Sequence, residues 1–226
     1  VVTSGFDGLT NIWRPSEVGP GQDPVAEEAV AVLRDEEDPA RQVPDLPPPA
    51  GGAAEFAAQS QCVCTAAVHP TGATLTTGCN DYLIRNWDVE RQAVTQRLRG
   101  HTGWVWCLEA QRGQPAVLLS GATDGRVKQW DLRVGELRGL VADMAISTPT
   151  AQGPNQGAVS GISLRPDGNV LVAGCFDTRV SVIDLRTWRV SQALEGHGHR
   201  VTRVAATDDG IFSASFDSTV RHWSFE

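Results

Sequence analysis

Short apolar runs rich in β-branched and aromatic residues recur along the chain, and turn residues separate them. The clearest series occupies residues 104–110, 116–122, 126–132 and 137–141, with the composition typical of strands. Gly, Pro and Asp mark turns within this series and again at 70–72, 166–168 and 208–210. No long segment has helical periodicity, so the pattern predicts successive antiparallel hairpins of short strands.

An aspartate followed six residues later by a large residue occurs five times. The pairs are Asp7 and Trp13, Asp81 and Trp87, Asp124 and Trp130, Asp177 and Ile183, and Asp217 and Trp223. The closing residues lie 74, 43, 53 and 40 positions apart, so two intervals are near 40 and two fit this period plus an insertion. Self-similarity at a fixed period of this size indicates stacked structural units.

Other residues recur at fixed offsets from this aspartate. Gly100-His101 precedes one repeat and Gly196-His197 another, and both repeats carry a serine four residues before the aspartate. Together these elements resemble the WD40 repeat family, whose members fold as β-propellers. The resemblance covers four whole repeats and the end of a fifth. It implies an all-β fold, and we interpret the chain as the C-terminal part of a roughly seven-bladed WD40 β-propeller.

The resemblance also implies a buried hydrogen-bond network in each complete repeat. Its members would be His101, Ser120, Asp124 and Trp130 in one repeat, and His197, Ser213, Asp217 and Trp223 in the last. In the other repeats Asp7, Asp81 and Asp177 are expected to hold the same hairpin turn, because Asp accepts backbone N–H bonds in turns. The repeats around Asp81 and Asp177 lack the Gly-His pair, so we expect them to close by apolar packing alone.

Three segments are predicted along the chain. Residues 1–14 form the end of a blade, 15–60 form an acidic, proline-rich insertion, and 61–226 form four consecutive blades. Upstream blades are expected because Val1 falls within a second strand. Inside the insertion, residues 29–33 would add an outer strand, and a short helix over 24–33 is the alternative. A second insertion, around 148–156, falls in the corresponding loop of the fourth repeat.

The net charge of −8 comes from one segment. Residues 15–60 hold ten acidic and two basic residues, and the rest of the chain holds 17 of each. A neutral set of repeats lacks the basic surface that binds a phosphate backbone, so direct nucleic-acid binding is not expected. The acidic segment, which has eight prolines, is either a tolerated surface loop or a tether for a basic partner protein.

Candidate partner-binding residues follow from the resemblance, since partners in that family often contact the loop face beside the first strand and just before the turn aspartate. The matching residues are Phe6, Cys64, Trp104, Trp106, Phe176, Arg200 and Phe216. Exposed aromatic side chains supply large contact area, and the alternative is that they pack between adjacent blades. Alternate strand residues point the same way, so Trp104 and Trp106 are expected to behave together.

Two patterns raise the question of chemistry, and both favour a structural interpretation. His101, Ser120 and Asp124 contain the residue types of a hydrolase triad, but the same set recurs in the final repeat, where a second catalytic set is not expected. The pair Cys62 and Cys64 has no further Cys or His at zinc-ligand spacing. The sequence therefore predicts no catalytic residue, no metal and no cofactor.

The favoured function is a non-catalytic scaffold that mediates protein–protein interactions, with other proteins of a multi-subunit complex as its partners. A substrate-recognition subunit of a ubiquitin ligase and a structural part of a ciliary or ribonucleoprotein complex are the alternatives. Five cysteines without a paired framework favour a reducing compartment, and no stretch has the length of a membrane span. An intracellular location, in the cytoplasm or nucleus, is expected.

Overall fold

The computed structural model describes residues 2–4, 10–12, 31–33, 62–69, 72–111, 113–114, 116–134, 139–146 and 157–224. These residues form 18 strands and no helix, arranged in five antiparallel sheets. The expectations for Phe6 and Asp7, and those for most of the two insertions, lie outside the described residues.

Each sheet is built from strands that follow one another in the chain. The first contains β1 (Val2–Ser4), β2 (Thr10–Ile12) and β3 (Ala31–Leu33), and the second contains β4 (Val63–Val68), β5 (Thr74–Cys79), β6 (Ile84–Asp88) and β7 (Ala93–Leu98). The third contains β8 (Val105–Ala110), β9 (Val117–Ala122), β10 (Arg126–Asp131) and β11 (Leu140–Ala145). The fourth contains β12 (Val159–Leu164), β13 (Val170–Cys175), β14 (Val180–Asp184) and β15 (Arg189–Leu194), and the fifth β16 (Val201–Ala206), β17 (Ile211–Ser215) and β18 (Val220–Trp223).

Two outer strands refine the boundaries expected from sequence. Residues 31–33 are extended and pair with β2, so the helical alternative does not apply to them. The outer strand of the third sheet, expected at 137–141, instead runs over Leu140–Ala145. Its last residues have low strand propensity, but Asp143 binds Lys128 Nζ at 2.6 Å and Arg126 Nε at 2.6 Å on the neighbouring strand. Cross-strand charge pairing therefore stabilises the end of this strand, which the amino-acid composition of residues 142–145 does not predict.

Successive sheets pack side by side through their first strands, so that β4, β8, β12 and β16 contact one another in order. Each apolar cluster joins two consecutive sheets. Leu119 and Val127 of the third sheet pack with Val159 and Leu171 of the fourth, for example. Fully burying a Val or Leu side chain contributes about 1.5–3 kcal/mol, so the core lies between the sheets and holds them in sequence.

A glycine in the second strand of a sheet makes this close approach possible, and the arrangement occurs three times. An ideal Cβ at Gly78 would lie 2.6 Å from Val105 Cγ1, and one at Gly121 would lie 2.6 Å from Val159 Cγ1. At Gly174 the corresponding distance to Val201 Cγ1 is 2.7 Å. A side chain at any of these positions would collide with the next sheet, so these glycine–valine contacts define the seams between sheets.

Candidate protein-interaction site

The turn aspartates fix the hairpin between the second and third strands. The Oδ1 atom of each accepts the backbone N–H two residues later: from Leu83 to Asp81 at 3.1 Å, from Arg126 to Asp124 at 3.0 Å, from Arg179 to Asp177 at 3.2 Å and from Thr219 to Asp217 at 2.9 Å. The intervening residue has a positive φ in every case, including Tyr82 at 71° and Thr178 at 76°. The carboxylate thus stabilises a backbone conformation that non-glycine residues rarely adopt.

A chain of hydrogen bonds links the turn to the strands in the third sheet. His101 Nδ1 lies 2.8 Å from Asp124 Oδ2, and His101 Nε2 lies 2.8 Å from Ser120 Oγ. Trp130 Nε1 donates to the same Ser120 Oγ at 2.8 Å. Because a carboxylate only accepts, Nδ1 carries the proton that His101 donates to Asp124. Every polar atom of this buried chain is therefore paired.

The electrostatics of Asp124 reflect the same contacts. Burial alone would raise the pKa of this carboxyl, but hydrogen bonds from His101 and from the backbone N–H groups of Thr102 and Arg126 outweigh burial and hold the pKa below its usual range. Asp124 is consequently ionised at neutral pH, as its acceptor role requires.

The last sheet repeats the arrangement. His197 Nδ1 lies 2.8 Å from Asp217 Oδ2, His197 Nε2 lies 2.7 Å from Ser213 Oγ, and Trp223 Nε1 donates to that hydroxyl at 2.8 Å. Thr219 Oγ1 adds a 2.6 Å bond to Asp217 Oδ1, which is the main reason that the pKa of Asp217 lies well below its usual value.

The triad-like order of Asp, His and Ser does not make an accessible nucleophile here. Ser120 is 0% exposed and its Oγ already contacts both His101 and Trp130. Ser213 is 1% exposed and is bonded in the same way. A substrate carbonyl could not reach either hydroxyl, so the geometry serves the fold.

The expectation of purely apolar closure was wrong for the second sheet. Trp87 Nε1 donates to Thr77 Oγ1 at 2.9 Å, and the buried Arg85 guanidinium binds Asp81 Oδ2 at 2.6 Å. Threonine here provides the hydroxyl, and an arginine four residues after the aspartate provides the cation, so a polar network forms without the histidine. In the fourth sheet, by contrast, Ala173 and Ile183 are fully buried in an apolar cluster.

Repeated backbone bonds bring the candidate interaction residues to one end of the sheets. The residue before each turn aspartate donates its N–H to a carbonyl just before the first strand. Thr123 bonds to Trp104 at 2.9 Å, Phe176 to Ala158 at 2.9 Å and Phe216 to Arg200 at 3.0 Å. We call this end, where residues 80–83, 123–125, 176–179 and 216–219 turn, the loop end.

An aromatic and cationic group lies at the loop end across three sheets. Trp106 and Phe176 make an edge-to-face contact with ring centroids 5.0 Å apart, and Arg200 Cζ lies 4.9 Å from the Phe176 centroid. Phe216 is 62% exposed and contacts His199, with centroids 5.8 Å apart. We refer to Trp106, Phe176, His199, Arg200 and Phe216 as the rim cluster.

The remaining sequence-predicted residues lie close by but take different roles. Trp104 N donates to Thr123 Oγ1 at 2.9 Å, which anchors the connection before β8. A register shift between Val105 and Cys107 interrupts the strand alternation at Trp106, on which the shared behaviour expected of Trp104 and Trp106 was based. His199 was missed by sequence reasoning, because no repeat position marks it and only its ring contact with Phe216 reveals it.

The cysteine chemistry is consistent with burial. Cys64 Sγ lies 3.7 Å from the Cys62 carbonyl oxygen, and burial raises the pKa of the Cys64 thiol. Burial likewise raises the pKa values of Cys79 and Cys107 to about 12. All five cysteines are free thiols.

Within the described ranges, no group of three or more Cys, His, Asp or Glu side chains could hold a metal ion. The same ranges contain no apolar helix long enough to cross a bilayer.

Antiparallel sheets of consecutive strands, packed side by side through their first strands and repeating one His–Ser–Asp–Trp network, define part of a β-propeller. The family model "WD domain, G-beta repeat" matches residues 53–88, 92–131, 147–184 and 188–224. The chain therefore belongs to the WD40 repeat family.

Relatives with WD repeats are moderately similar. The chain is 28% identical to Protein SPA1-RELATED 3 of Arabidopsis thaliana over 63% of its length and 16% of that protein. It is 29% identical to F-box/WD repeat-containing protein 9 of Bos taurus, over 66% of the chain and 32% of that protein. It is 27% identical to Nuclear distribution protein PAC1 of Arthroderma otae, over 86% and 41%. The chain thus spans less than half the length of each of these relatives.

Proposed function

We propose that this chain is a non-catalytic docking platform in a multi-subunit protein assembly inside the cell. The observation that carries this proposal is the rim cluster, where Trp106, Phe176 and Arg200 from three successive sheets meet at the loop end. Aromatic and arginine side chains dominate the binding energy of protein interfaces. Seams and hydrogen-bond networks hold these side chains on a fixed frame, which lowers the ordering cost of binding.

Charge and thiol chemistry support the same proposal. Outside residues 15–60 the chain has 17 acidic and 17 basic residues, which suits a protein partner better than a nucleic acid. The five free cysteines suit a reducing intracellular compartment.

We also propose that the chain divides into three segments, residues 1–14, 15–60 and 61–226. Deleting residues 20–58 in a pull-down tests whether the acidic segment tethers a basic partner or is only a surface loop.

Cross-linking mass spectrometry on the full-length protein in native extract tests the docking role. A variant with Phe176→Ala, Arg200→Glu and Phe216→Ala should lose most cross-links to partner proteins. The control variant carries Val68→Asp and Val134→Asp, because these exposed apolar residues lie at the end of the sheets opposite the loop end. This control should keep its cross-links to partner proteins. Unchanged cross-links in the rim variant would contradict the proposal.

A substrate-recognition subunit of a ubiquitin ligase is a narrower candidate. The similarity to F-box/WD repeat-containing protein 9 favours it. Such a subunit needs a second domain that recruits the ligase, so an F-box in the full-length protein, together with co-purification of ligase components, would select this function. Neither feature is required by a general scaffold.

A further inference from the structure

We propose that the rim cluster recognises an acidic segment of a partner protein, with an Asp or Glu carboxylate on Arg200 and an adjacent apolar side chain against Phe176 and Phe216. This inference rests on the proposed docking function and adds the chemistry of the partner. Three observations carry it: the state of Arg200, the exposure of the aromatic rings, and the charges around them.

Arg200 is placed to receive an anion. Its side chain is exposed, its guanidinium lies over the Phe176 ring with Cζ 4.9 Å from the centroid, and it forms no ion pair with any described residue. An arginine that stacks on a ring is held in one orientation while the N–H groups at its edge stay free. That edge matches the two oxygens of a carboxylate, which it can bind through parallel hydrogen bonds.

The rings beside Arg200 provide an apolar contact surface. Phe216 is 62% exposed, and Phe176 and Trp106 are half-buried with their edge-to-face geometry fixed. The backbone bond from Phe216 N to Arg200 O, at 3.0 Å, sets the spacing between ring and cation. A ligand that satisfies both groups must therefore carry a carboxylate next to an aliphatic or aromatic side chain.

The surrounding charges favour a carboxylate over a phosphate. Arg179, in the turn that follows Phe176, pairs with Glu195 at 3.3 Å. Asp177 and Asp217 occupy turns at the same end, and hydrogen bonds keep the pKa of Asp217 well below neutral. Phosphate groups carry up to two negative charges and usually meet a cluster of arginines. One unpaired arginine among carboxylates suits a monoanion.

The test uses a phage-displayed random dodecapeptide library selected on the full chain, followed by calorimetry with the enriched synthetic peptides. Enriched peptides should contain Asp or Glu next to an apolar residue. Their affinity should fall at least tenfold with Arg200→Gln or Phe176→Ala and less than twofold with Arg179→Gln. Circular dichroism melts would confirm that the three variants fold alike.

Several results would overturn the inference while leaving the docking role to its own cross-linking test. They are enriched peptides without acids, affinities indifferent to Arg200→Gln, or tenfold tighter binding once the acid is replaced by phosphoserine. If deleting residues 20–58 tightened binding more than tenfold, the chain's own acidic segment would be the occupant instead of a partner. Loss of rim cross-links together with neutral selected peptides would support docking and reject acidic recognition.

Discussion

Ser120 shows how much a single hydroxyl can contribute in this fold. It is fully buried, accepts a hydrogen bond from Trp130 and forms a second hydrogen bond with His101 Nε2. Thr77 occupies the equivalent position in the second sheet, where it accepts a hydrogen bond from Trp87, while Arg85 pairs with the aspartate. The same fold position therefore supports networks of different size.

This difference predicts a graded loss of stability. Ser120→Ala leaves two buried polar groups unpaired, and at about 1–3 kcal/mol for each such group it should cost about 2–6 kcal/mol. Thr77→Ala leaves one and should cost about half as much. Urea denaturation of the two variants measures the difference. Equal losses, or none for Ser120→Ala, would mean that the network does not stabilise the fold.

His69 predicts a pH dependence. It is 4% exposed, its Nε2 has no hydrogen-bond partner among the described residues, and burial lowers its pKa below the usual value near 6.5. Below pH 6.5 the unfolded chain binds a proton that the folded chain resists, so stability should fall as the pH drops from 7 through this range.

The His69→Leu variant, which cannot titrate at this position, isolates the effect. Its unfolding free energy should fall less steeply between pH 7 and pH 5 than that of the parent chain, as chemical denaturation at each pH would show. Parallel pH profiles for the two proteins would show that His69 protonates equally well in the folded state.

At the residue scale, the recurring offsets marked the positions of the turn aspartates, and the resemblance to the WD40 repeat family implied the members of both complete networks. It could not predict the Arg85–Asp81 pair, since an arginine four residues after the aspartate reads as an ordinary strand residue. Only the hairpin geometry brings its guanidinium back to the carboxylate.

At the element scale, the seams control how closely sheets approach. At Gly121 an ideal Cβ would lie 2.6 Å from Val159 Cγ1 and 2.7 Å from Cys107 Sγ, whereas at Gly198 the nearest atom is 4.0 Å away. Gly121→Ala should therefore cost about 1–3 kcal/mol through overpacking, and Gly198→Ala should be nearly neutral. Thermal melts compare the two.

A double variant identifies the cause of the loss. If steric conflict with the next sheet is responsible, adding Val159→Ala to Gly121→Ala should recover part of the stability beyond additivity. Purely additive losses would mean that the added methyl conflicts with Cys107 Sγ, 2.7 Å from the ideal Cβ, and not with Val159 across the seam.

The order of the strands was predictable from the turn residues and from strand propensity, but the residues at which strands begin and end were harder to predict. The sequence Val-Ala-Asp-Met-Ala in β11 lacks strand composition, and its pairing depends on Asp143 meeting two cations of β10. Such cross-strand partners are invisible until the register is known.

At the scale of the whole molecule, equivalent positions differ in what covers them. Val180 is 0% exposed under the fifth sheet, whereas Val220, 40 residues later at the same place in its own sheet, is 72% exposed. Val180→Glu should cost about 3 kcal/mol or more, because it buries an unpaired carboxylate. In a preparation of these 226 residues alone, Val220→Glu should change stability by less than about 0.5 kcal/mol. Chemical denaturation of the pair checks the expected packing order of the sheets.

The rim cluster belongs to this largest scale, which explains why sequence reasoning found four of its five members but not their arrangement. Trp106, Phe176 and Arg200 are far apart in the chain and come from three sheets. Their contacts depend on the seam spacing and on the register shift beside Trp106. A repeat pattern identifies which positions face the loop end, and only the packing of neighbouring sheets determines which of them touch.

Hydrogen–deuterium exchange on the assembly purified through this protein, compared with the free chain, tests the central claim most directly. The account predicts slower exchange on assembly in peptides covering residues 104–106, 176–179 and 199–200 at the loop end. Peptides at the opposite end, around residues 68–69, 72–73 and 113–114, should exchange equally in both states. Protection confined to the opposite end, with the loop end unchanged, would contradict docking through the rim cluster.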